Sequence, residues 1–434
     1  MRLVLASFYH RLDEYPNPYS LAAMRLASYL LSKNIPTAIL PLDLYADPKE
    51  CVDFILRKKP DLVGLPAYMW TIEKSREIAT LLSSKGIPIV VGGPETSTLN
   101  TKDWPDRVLY VVGEGEIPLH RIAESSMFDD IIDSPQKTHP SIYSRKKEGW
   151  EIFYPTNLPT GIPLFSREFF EKSGLDFSKY SFSWYDTAIS CPYRCGYCGH
   201  KTRPNVALRD DNLIEEEIRN IGRLGLDWVF IIDPILGGKK GRDKKILEMF
   251  RKYAPLTAIK AYYRAEFLDN EAINLLRQSN IREISIGIQT TNPNVPQWIR
   301  SNNIEKILSF LPLFSQYGIP LKVELIVGLP GDNSKGLRET FRFVIDEIRP
   351  TKIAAYHLTV IRGTPLHQIL NGDEKGMPLW VHADENGKAT ESNSYSYEEL
   401  QEMLAMAERW ANLYNEARRN GYFPSFDEIQ TMQN

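Results

Sequence analysis

Three of the four cysteines in this 434-residue chain lie within residues 190–200, which read SCPYRCGYCGH. Cys191, Cys195 and Cys198 have the spacing C-x3-C-x2-C, and a proline and two glycines interrupt the segment and favour a loop. Thiolates are soft ligands that suit iron–sulfur clusters. A structural zinc site needs four protein ligands, and no CxxC or HxxxH motif elsewhere completes one. The loop is therefore a candidate for a cubane cluster whose fourth iron is open to a small molecule.

This loop resembles the cluster motif of the radical S-adenosylmethionine (SAM) superfamily, Cx3CxΦC, in which Φ is aromatic. Tyr197 occupies the Φ position. The resemblance implies a 4Fe-4S cluster held by Cys191, Cys195 and Cys198, SAM chelated to the fourth iron, and Tyr197 beside the adenine. The alternatives are a partial zinc site and three reduced thiols. Cys51 stands alone between apolar residues and is interpreted as a buried core thiol.

Residues 1–125 alternate strand-like and helix-like segments. The apolar runs MRLVLASF, LVGLPAY and IPIVVGG fit buried parallel strands, and SLAAMRLASYLLSKN has apolar residues at helical spacing. The alternation predicts an open, doubly wound, Rossmann-like α/β sheet. Ligands of such sheets bind beyond the carboxyl ends of the strands, where this sequence has PAYMW and the glycine-rich loops of VVGGPE and VVGEGE.

These loops resemble those of the cobalamin-binding domain that precedes many radical SAM cores. The resemblance covers most of residues 1–125 and implies that ten loop residues contact cobalamin: Tyr68, Trp70, Gly92, Gly93, Pro94, Glu95, Gly113, Glu114, Gly115 and Glu116. The motif D-x-H-x-x-G, which places a histidine beneath cobalt, is absent from the sequence. We therefore expect a lower cobalt face without histidine, with Trp70 as the first candidate beneath the metal and Tyr68 as the second. The alternatives are a domain without a ligand and one that binds another nucleotide-like ligand.

The rest of the chain divides into three parts. Residues 126–180 are rich in proline and aspartate and are predicted to be a linker. Over residues 181–365 strands and helices alternate six times, which predicts a partial (β/α)6 TIM-like barrel, the radical SAM core. The cysteine loop follows the first of these strands, where the superfamily places it. Residues 366–434 are predicted to form a small, mainly helical C-terminal region.

Polar residues at the carboxyl ends of the barrel strands are candidates for the SAM and substrate sites. They are Asp233, Arg264, Glu266, Gln289, Glu324, Gly328 and Tyr356. By resemblance, Arg264 lies near the SAM carboxylate, and Asp233 replaces the usual Gly-Gly-Glu contact to the SAM amino group. Gln289 is predicted to reach ribose or methionyl oxygens, and Gly328 begins a turn that resembles the adenine-side turn. Tyr356 is a candidate catalytic residue that contacts substrate or relays a proton, and a structural polar network is the alternative for each residue.

The composition indicates a class of protein and a compartment. The chain has 52 basic and 55 acidic residues and a net charge of −3, so no basic footprint for nucleic acid is evident. No run of eighteen apolar residues predicts a membrane-spanning helix, and the first residues do not fit a secretory signal. The few, clustered cysteines indicate a reducing compartment. We therefore expect a cytoplasmic protein.

The two resemblances together imply a cobalamin-dependent (class B) radical SAM methyltransferase. Such an enzyme methylates a carbon centre of a small-molecule or peptide substrate and uses SAM, a 4Fe-4S cluster and methylcobalamin. An electron donor such as flavodoxin or ferredoxin is the implied partner. The alternatives are a cyclase or ring-rearranging enzyme with the same cofactors, and a non-catalytic cobalamin-binding or cobalamin-sensing protein.

Overall fold

The computed structural model describes residues 1–10, 17, 19–125, 128–147, 149–152, 154–178, 180–202, 205–372 and 376–432, with the side chains of residues 201 and 202 excepted. The chain forms two compact units, each made of two segments. The first comprises Met1–Tyr185 and Ala207–Asp227, and the second comprises Asp186–Val206 and Trp228–Asn434.

The described residues form strands and helices in regular alternation over most of the chain. The strands are β1 (Leu3–Tyr9), β2 (Thr37–Asp43), β3 (Leu62–Pro66), β4 (Ile89–Gly92), β5 (Val108–Val111), β6 (Ile142–Ser144), β7 (Phe182–Tyr185), β8 (Ala188–Ile189), β9 (Ala207–Leu208), β10 (Trp228–Ile231), β11 (Ala258–Tyr263), β12 (Ile281–Gln289), β13 (Leu321–Val327), β14 (Lys352–His357), β15 (Val381–Ala383) and β16 (Ala389–Ser392). The helices are α1 (Leu21–Ser32), α2 (Pro48–Arg57), α3 (Ile72–Ser83), α4 (Glu116–Glu124), α5 (Phe128–Asp133), α6 (Pro135–Thr138), α7 (Arg167–Ser173), α8 (Asp211–Leu224), α9 (Arg242–Tyr253), α10 (Asn270–Gln278), α11 (Ile304–Gln316), α12 (Ser334–Arg342), α13 (Tyr397–Arg419) and α14 (Phe426–Thr431). None of these described helices is both long and apolar enough to cross a membrane.

The first unit is built on a sheet with the strand order β2-β1-β3-β4-β5-β6. Strands β1 to β5 are parallel, and β6 is antiparallel to β5. Helices α2 and α3 pack together on the core of the sheet, and α1 packs with α4. The predicted doubly wound α/β fold is therefore confirmed. Strand order reverses between β1 and β3, and this switch point is where doubly wound sheets bind ligands.

The segment 126–180 differs from the predicted linker. Its described residues contain helices α5, α6 and α7 and the edge strand β6 of the first sheet. Tyr143 donates a hydrogen bond to the carbonyl oxygen of Thr96 at 2.5 Å, and Ser28 donates to the carbonyl oxygen of Ile162 at 2.6 Å. This packing was not predicted from the sequence because β6 has only three residues and the frequent prolines interrupt any helical or strand periodicity of apolar residues.

The second unit contains parallel strands in the order β14-β13-β12-β11-β10. Helices α9, α10, α11 and α12 connect successive strands, so the β/α alternation predicted for this region is confirmed. Buried and partly buried residues alternate strictly along β13, which places its polar side chains on one face. The strand–helix pair β7 and α8, predicted to begin this series, belongs to the first unit. The C-terminal region contains the hairpin β15–β16 in addition to helices α13 and α14.

Gly93, just after β4, lets the backbone there pass close to the backbone at Ala67, just after β3. Its φ of +136° is unfavourable for other residues, and a Cβ atom there would lie 2.7 Å from the carbonyl oxygen of Ala67. The same crossing is fixed by a hydrogen bond from the Ala67 N–H to the Gly92 carbonyl oxygen at 2.7 Å. No side chain larger than hydrogen fits at position 93 without a shift of the β3 loop.

We predict that Gly93→Ala destabilises the first unit more than Gly86→Ala does. Both glycines have positive φ, but a Cβ atom at Gly86 would meet nothing within 4 Å. The difference combines the steric clash with the extra backbone strain at φ +136°, and overpacking alone costs about 1–3 kcal/mol. The measurement is the free energy of unfolding in urea, followed by circular dichroism. Equal losses for the two variants would show that the close crossing is not a constraint.

Candidate functional site

The cysteine loop follows β8 and begins at a residue with an unusual backbone conformation. Ser190 has φ +72°, although it is not glycine, and it directly precedes Cys191. Such left-handed residues cost free energy and concentrate at functional sites. Cys191, Cys195 and Cys198 are free thiols of intermediate exposure, whereas Cys51 is buried, as predicted.

Gly196 fixes the middle of the loop against the rest of the second unit. Its N–H donates to the carbonyl oxygen of Ile299 at 3.1 Å, and its carbonyl oxygen accepts from the N–H of Leu366 at 2.9 Å. A Cβ atom on Gly196 would lie 2.7 Å from the ring of Trp298. The glycine is needed because the loop and this ring are in direct contact.

Burial and backbone hydrogen bonds have opposite effects on the pKa of two of the thiols. Burial raises the pKa of Cys191 to about 11, and a hydrogen bond from the backbone N–H of Tyr193 partly opposes this shift. Burial likewise raises the pKa of Cys198, opposed by the backbone N–H of His200. These thiols are therefore protonated near neutral pH without a metal. Metal binding must displace their protons, after which the N–H groups face thiolates.

The third sulfur is contacted by two guanidinium groups. Arg264 Nη1 and Arg300 Nη1 each lie 3.6 Å from the Cys195 Sγ atom. Arg264 also forms a two-pronged ion pair with Glu266, with N–O distances of 2.8 and 2.9 Å, and its guanidinium lies 3.8 Å from the ring centroid of Tyr193. The predicted contact of Arg264 with the SAM carboxylate therefore competes with an existing carboxylate partner.

Arg300 was not among the predicted residues. Its guanidinium donates to the carbonyl oxygens of Gly287 and Ile288 and to Asn302 Oδ1, in addition to Cys195. Within the described part of the chain, no carboxylate pairs with it. This role was not predictable from the sequence because Arg300 lies in an irregular segment after β12, where strand alternation does not apply.

Asp233 has a different role from the predicted one. It is fully buried, and its Oδ1 accepts the N–H groups of Thr187 and Ala188 at 2.6 and 3.0 Å. Its Oδ2 accepts the Thr187 hydroxyl and the N–H of Gly237. Burial raises the pKa of Asp233 to about 6, and these donors oppose the shift. With both oxygens occupied and no exposed surface, Asp233 positions the chain before the cysteine loop and is not available to a SAM amino group.

Gln289 combines two unusual features at the carboxyl end of β12. Its φ is +69°, and the register between β12 and β13 is irregular between Gly287 and Gln289. Its Oε1 atom is buried and, among the described residues, has no hydrogen-bond partner. A buried acceptor left unpaired is costly, so a ligand donor is the natural partner.

Two local groups contain the predicted residues Glu324, Gly328 and Tyr356. Lys322 Nζ lies 2.8 Å from both Glu324 Oε1 and Tyr356 Oη, which links strands β13 and β14 through a polar cluster. Gly328 has φ +92°, and its carbonyl oxygen accepts a hydrogen bond from Tyr395 Oη at 2.5 Å. The turn at Gly328 is thus braced by the C-terminal region.

The first unit has a cavity of about 180 Å³ at the switch point between β1 and β3. Seven of the predicted cobalamin contacts line it: Tyr68, Gly92, Gly93, Gly113, Glu114, Gly115 and Glu116. Trp70, Pro94 and Glu95 do not. Trp70 is 66% exposed and stacks on Tyr68, with ring centroids 5.0 Å apart and an interplanar angle of 7°.

One predicted carboxylate of this cavity already has a charged partner. Glu116 is buried, and its Oε1 atom lies 2.6 Å from Arg25 Nη2. The same Arg25 atom lies 3.9 Å from Glu114 Oε2. The pairing of Arg25 with Glu116 links α1 to the start of α4, so Glu116 shapes the cavity wall.

Two family matches agree with the two units and their sites. Residues 17–123 match the B12 binding domain, and residues 187–344 match the radical SAM superfamily. The chain therefore contains a B12-binding domain followed by a radical SAM domain. These domains identify cobalamin, SAM and a 4Fe-4S cluster as its cofactors.

Two curated proteins that are similar to the chain are named as methyltransferases. The chain is 20% identical over 422 residues to the cobalamin-dependent radical SAM methyltransferase TokK of Streptomyces tokunonensis, a match that covers 91% of this chain and 59% of TokK. It is 21% identical over 360 residues to the 2-(S-pantetheinyl)-carbapenam-3-carboxylate methyltransferase of Streptantibioticus cattleyicolor, covering 76% of this chain and 51% of that protein. The chain thus spans only between half and three fifths of the length of these curated relatives.

A solved structure shows the same fold. OxsB, a cobalamin-dependent SAM radical enzyme solved with aqua-cobalamin and SAM bound, superimposes with a TM-score of 0.71. The match covers 95% of this chain and 67% of OxsB at 17% identity. At this identity the likeness establishes the fold and no further property.

The residues present fit the three cofactors. Three thiols project from one short loop, and each sulfur is accompanied by N–H donors. No group of three or more His, Cys, Asp or Glu side chains in the described ranges could hold a single metal ion. A cubane does not require such a group, because each thiolate binds a different iron. The unpaired Oε1 atom of Gln289 fits a SAM donor, and the glycine-lined cavity fits part of a cobalamin.

We predict that Asp233→Asn lowers both stability and iron incorporation. An amide cannot accept the N–H of Gly237 and the two N–H groups of Thr187 and Ala188 at once, and a buried unpaired donor costs about 1–3 kcal/mol. The measurements are the unfolding midpoint and the iron content after anaerobic reconstitution. Asp227→Asn, at an exposed aspartate, is the matched control and is expected to change neither. Full iron loading of Asp233→Asn would contradict a positioning role for Asp233.

Proposed function

We propose that this chain, a cobalamin-dependent radical SAM protein, is an enzyme that methylates a carbon centre of its substrate. The observation that carries the proposal is the occurrence, in one chain, of a three-cysteine loop with donors at every sulfur and a glycine-lined cavity in a B12-binding domain. The match to TokK, a protein named as a methyltransferase, spans 91% of the chain and supports methyl transfer over other reactions of this cofactor set.

The second unit supplies the groups that hold the cluster and SAM. Cys191, Cys195 and Cys198 are the proposed cluster ligands, with Tyr197 beside the adenine. Gln289 accepts a hydrogen bond from SAM through its unpaired Oε1 atom, and the turn at Gly328 lies on the adenine side. When bound, the cluster and SAM supply hydrogen-atom abstraction from an unactivated carbon, and methylcobalamin supplies the methyl group.

The chain contributes positioning to this chemistry and needs no strong acid or base. Buried anchors such as Asp233 and Gly196 hold the cysteine loop, and an effective molarity gained through such fixed geometry is a large part of catalysis. Tyr356 is 47% exposed and hydrogen-bonded to Lys322, so it is placed to contact substrate or to pass a proton to solvent.

The first unit holds cobalamin at the ends of its parallel strands. Gly92, Gly93, Gly113 and Gly115 let the backbone approach the cofactor closely, because they present no side chain to the cavity. The exposed face of Trp70, stacked on Tyr68, is the proposed surface beneath the cobalt, where no histidine is expected.

A small molecule is the proposed class of substrate. The curated relative from Streptantibioticus cattleyicolor is named for a pantetheinyl-carbapenam carboxylate, which is a small thioether-bearing acid. The Lys322–Glu324–Tyr356 cluster offers both a cation and an acceptor for the polar groups of such a molecule. A cytoplasmic location and reduction by flavodoxin or ferredoxin complete the proposal.

We predict that the anaerobic chain, loaded with iron, sulfide and cobalamin and reduced with dithionite, forms 5′-deoxyadenosine from SAM and adds the mass of one CH₂ group to its substrate. A product of unchanged or lower mass, formed together with 5′-deoxyadenosine, would instead indicate rearrangement or cyclisation. Failure to form any 5′-deoxyadenosine would favour a non-catalytic cobalamin-binding protein.

The cysteine requirement provides the matched control for this experiment. Alanine at Cys191, Cys195 or Cys198 is expected to abolish iron loading and 5′-deoxyadenosine formation, because three thiolates are the minimum for the open cubane. Cys51→Ala removes a buried thiol of the first unit and is expected to retain both. The readouts are iron per chain and nucleoside by mass spectrometry.

We predict that Trp70→Ala raises the Kd for cobalamin about tenfold, because it removes an aromatic contact worth about 1.5 kcal/mol. The visible spectrum of bound cob(II)alamin is expected to shift as well, since the environment below cobalt changes. Phe54→Ala, at a similarly exposed aromatic residue on α2, is the control. Unchanged affinity and spectrum in Trp70→Ala would place Trp70 away from the cobalt.

A further inference from the structure

We infer that Arg264 and Arg300 tune the reduction potential of the cluster through Cys195, and that Glu266 opposes Arg264. The inference rests on the proposed cluster assignment to the cysteine loop. It concerns a property that the cysteine motif itself does not specify, since neither arginine belongs to the motif.

The three sulfurs have unequal surroundings. Cys191 and Cys198 each receive a backbone N–H from within the loop or directly after it. Cys195 instead receives two cationic N–H donors, one from the end of β11 and one from the segment after β12, both at 3.6 Å. Hydrogen bonds from charged groups are stronger than those from neutral groups. Cys195 is therefore the sulfur on which the surrounding protein has the strongest electrostatic influence.

The two arginines carry the same charge, but only Arg264 has a carboxylate in direct contact. Arg264 is largely neutralised by its two-pronged ion pair with Glu266, and the side chains of this pair are only 8% and 19% exposed. Arg300 is held by carbonyl oxygens and an amide oxygen, with no carboxylate partner within the described ranges. Arg300 thus places a positive charge at the cluster without a carboxylate in direct contact, and Glu266 interacts with it only at longer range. In a partly buried site such a charge is weakly screened.

The affected step is the one-electron reduction of the cluster. An external one-electron donor, dithionite in the assay, converts [4Fe–4S]²⁺ to [4Fe–4S]⁺, and no bond breaks and no proton moves. The added negative charge is spread over the cluster irons and sulfurs. Hydrogen bonds to ligand sulfurs and nearby positive charge stabilise the reduced form more than the oxidised form, so they raise the reduction potential.

This arrangement predicts that substitutions at Arg300 and at Glu266 shift the midpoint potential of the cluster in opposite directions. Arg300→Gln removes the positive charge that has no carboxylate in direct contact, so the midpoint potential is expected to fall by at least 59 mV, a tenfold change in the equilibrium constant of a one-electron couple. Glu266→Gln leaves Arg264 uncompensated while Ser301 and Tyr193 still hold its guanidinium, so the potential is expected to rise. Arg300→Lys keeps the positive charge but loses the planar guanidinium with its several N–H donors. The midpoint potential of the cluster in this variant is expected to lie between those of wild type and Arg300→Gln.

The experiment measures midpoint potentials on the full chain, reconstituted anaerobically and without SAM, by potentiometry with the electron paramagnetic resonance signal of the reduced cluster. Arg277→Gln, the same substitution at an exposed arginine on α10, is the control and is expected to match wild type. Iron and sulfide contents verify that each variant holds a complete cluster.

The outcomes separate this inference from the proposed function. A wild-type chain that assembles no cluster overturns both. A complete cluster whose potential is unchanged in Arg300→Gln, or lowered in Glu266→Gln, overturns the inference and leaves the proposed function standing. If Arg300→Gln fails to retain its cluster, Arg300→Lys is compared with Glu266→Gln instead. Midpoint potentials shifted in opposite directions from wild type support the inference, and equal midpoint potentials overturn it.

Discussion

Four hydrogen bonds to one buried carboxylate determine where the cysteine loop begins. Asp233, at the end of β10, binds the backbone of Thr187 and Ala188 and so ties the strand end to the residues just before the first cysteine. Because a buried carboxylate is costly unless its oxygens are satisfied, this arrangement tolerates little displacement. The strained backbone of Ser190 and the close packing of Gly196 are then accommodated from a fixed starting point.

Periodicity was enough to predict the fold, and the resemblance of two sets of loops to known families predicted the cofactors. Long apolar runs with turn residues between them identified the parallel strands of both units, and the three cysteines with Tyr197 identified the cluster loop. These features are local in sequence, so they are visible without knowledge of tertiary contacts. The glycines of the first unit were predictable for the same reason, since their position at strand ends indicates a close approach of backbone.

The partners of individual side chains, most of them distant in the sequence, were not predictable. The sequence shows a carboxylate at Asp233 but not the donors of Thr187, Ala188 and Gly237 that surround it, and Asp233 was therefore predicted to bind SAM. Arg264 was expected to face a carboxylate of SAM, whereas its neighbour Glu266 supplies one within the protein. Arg300 lies in an irregular segment, and only the folded chain brings it to Cys195. The segment 126–180 packs through short elements with no detectable period.

The bracing of the site by later parts of the chain has a consequence for its biogenesis. The carbonyl oxygen of Gly196 is bound by Leu366, and the turn at Gly328 is bound by Tyr395. During translation the cysteines emerge from the ribosome well before either of these partners, so the nascent chain presents an unbraced thiol loop for much of its synthesis. A rigid loop that can receive the iron–sulfur cluster therefore forms only after these later residues have been synthesised.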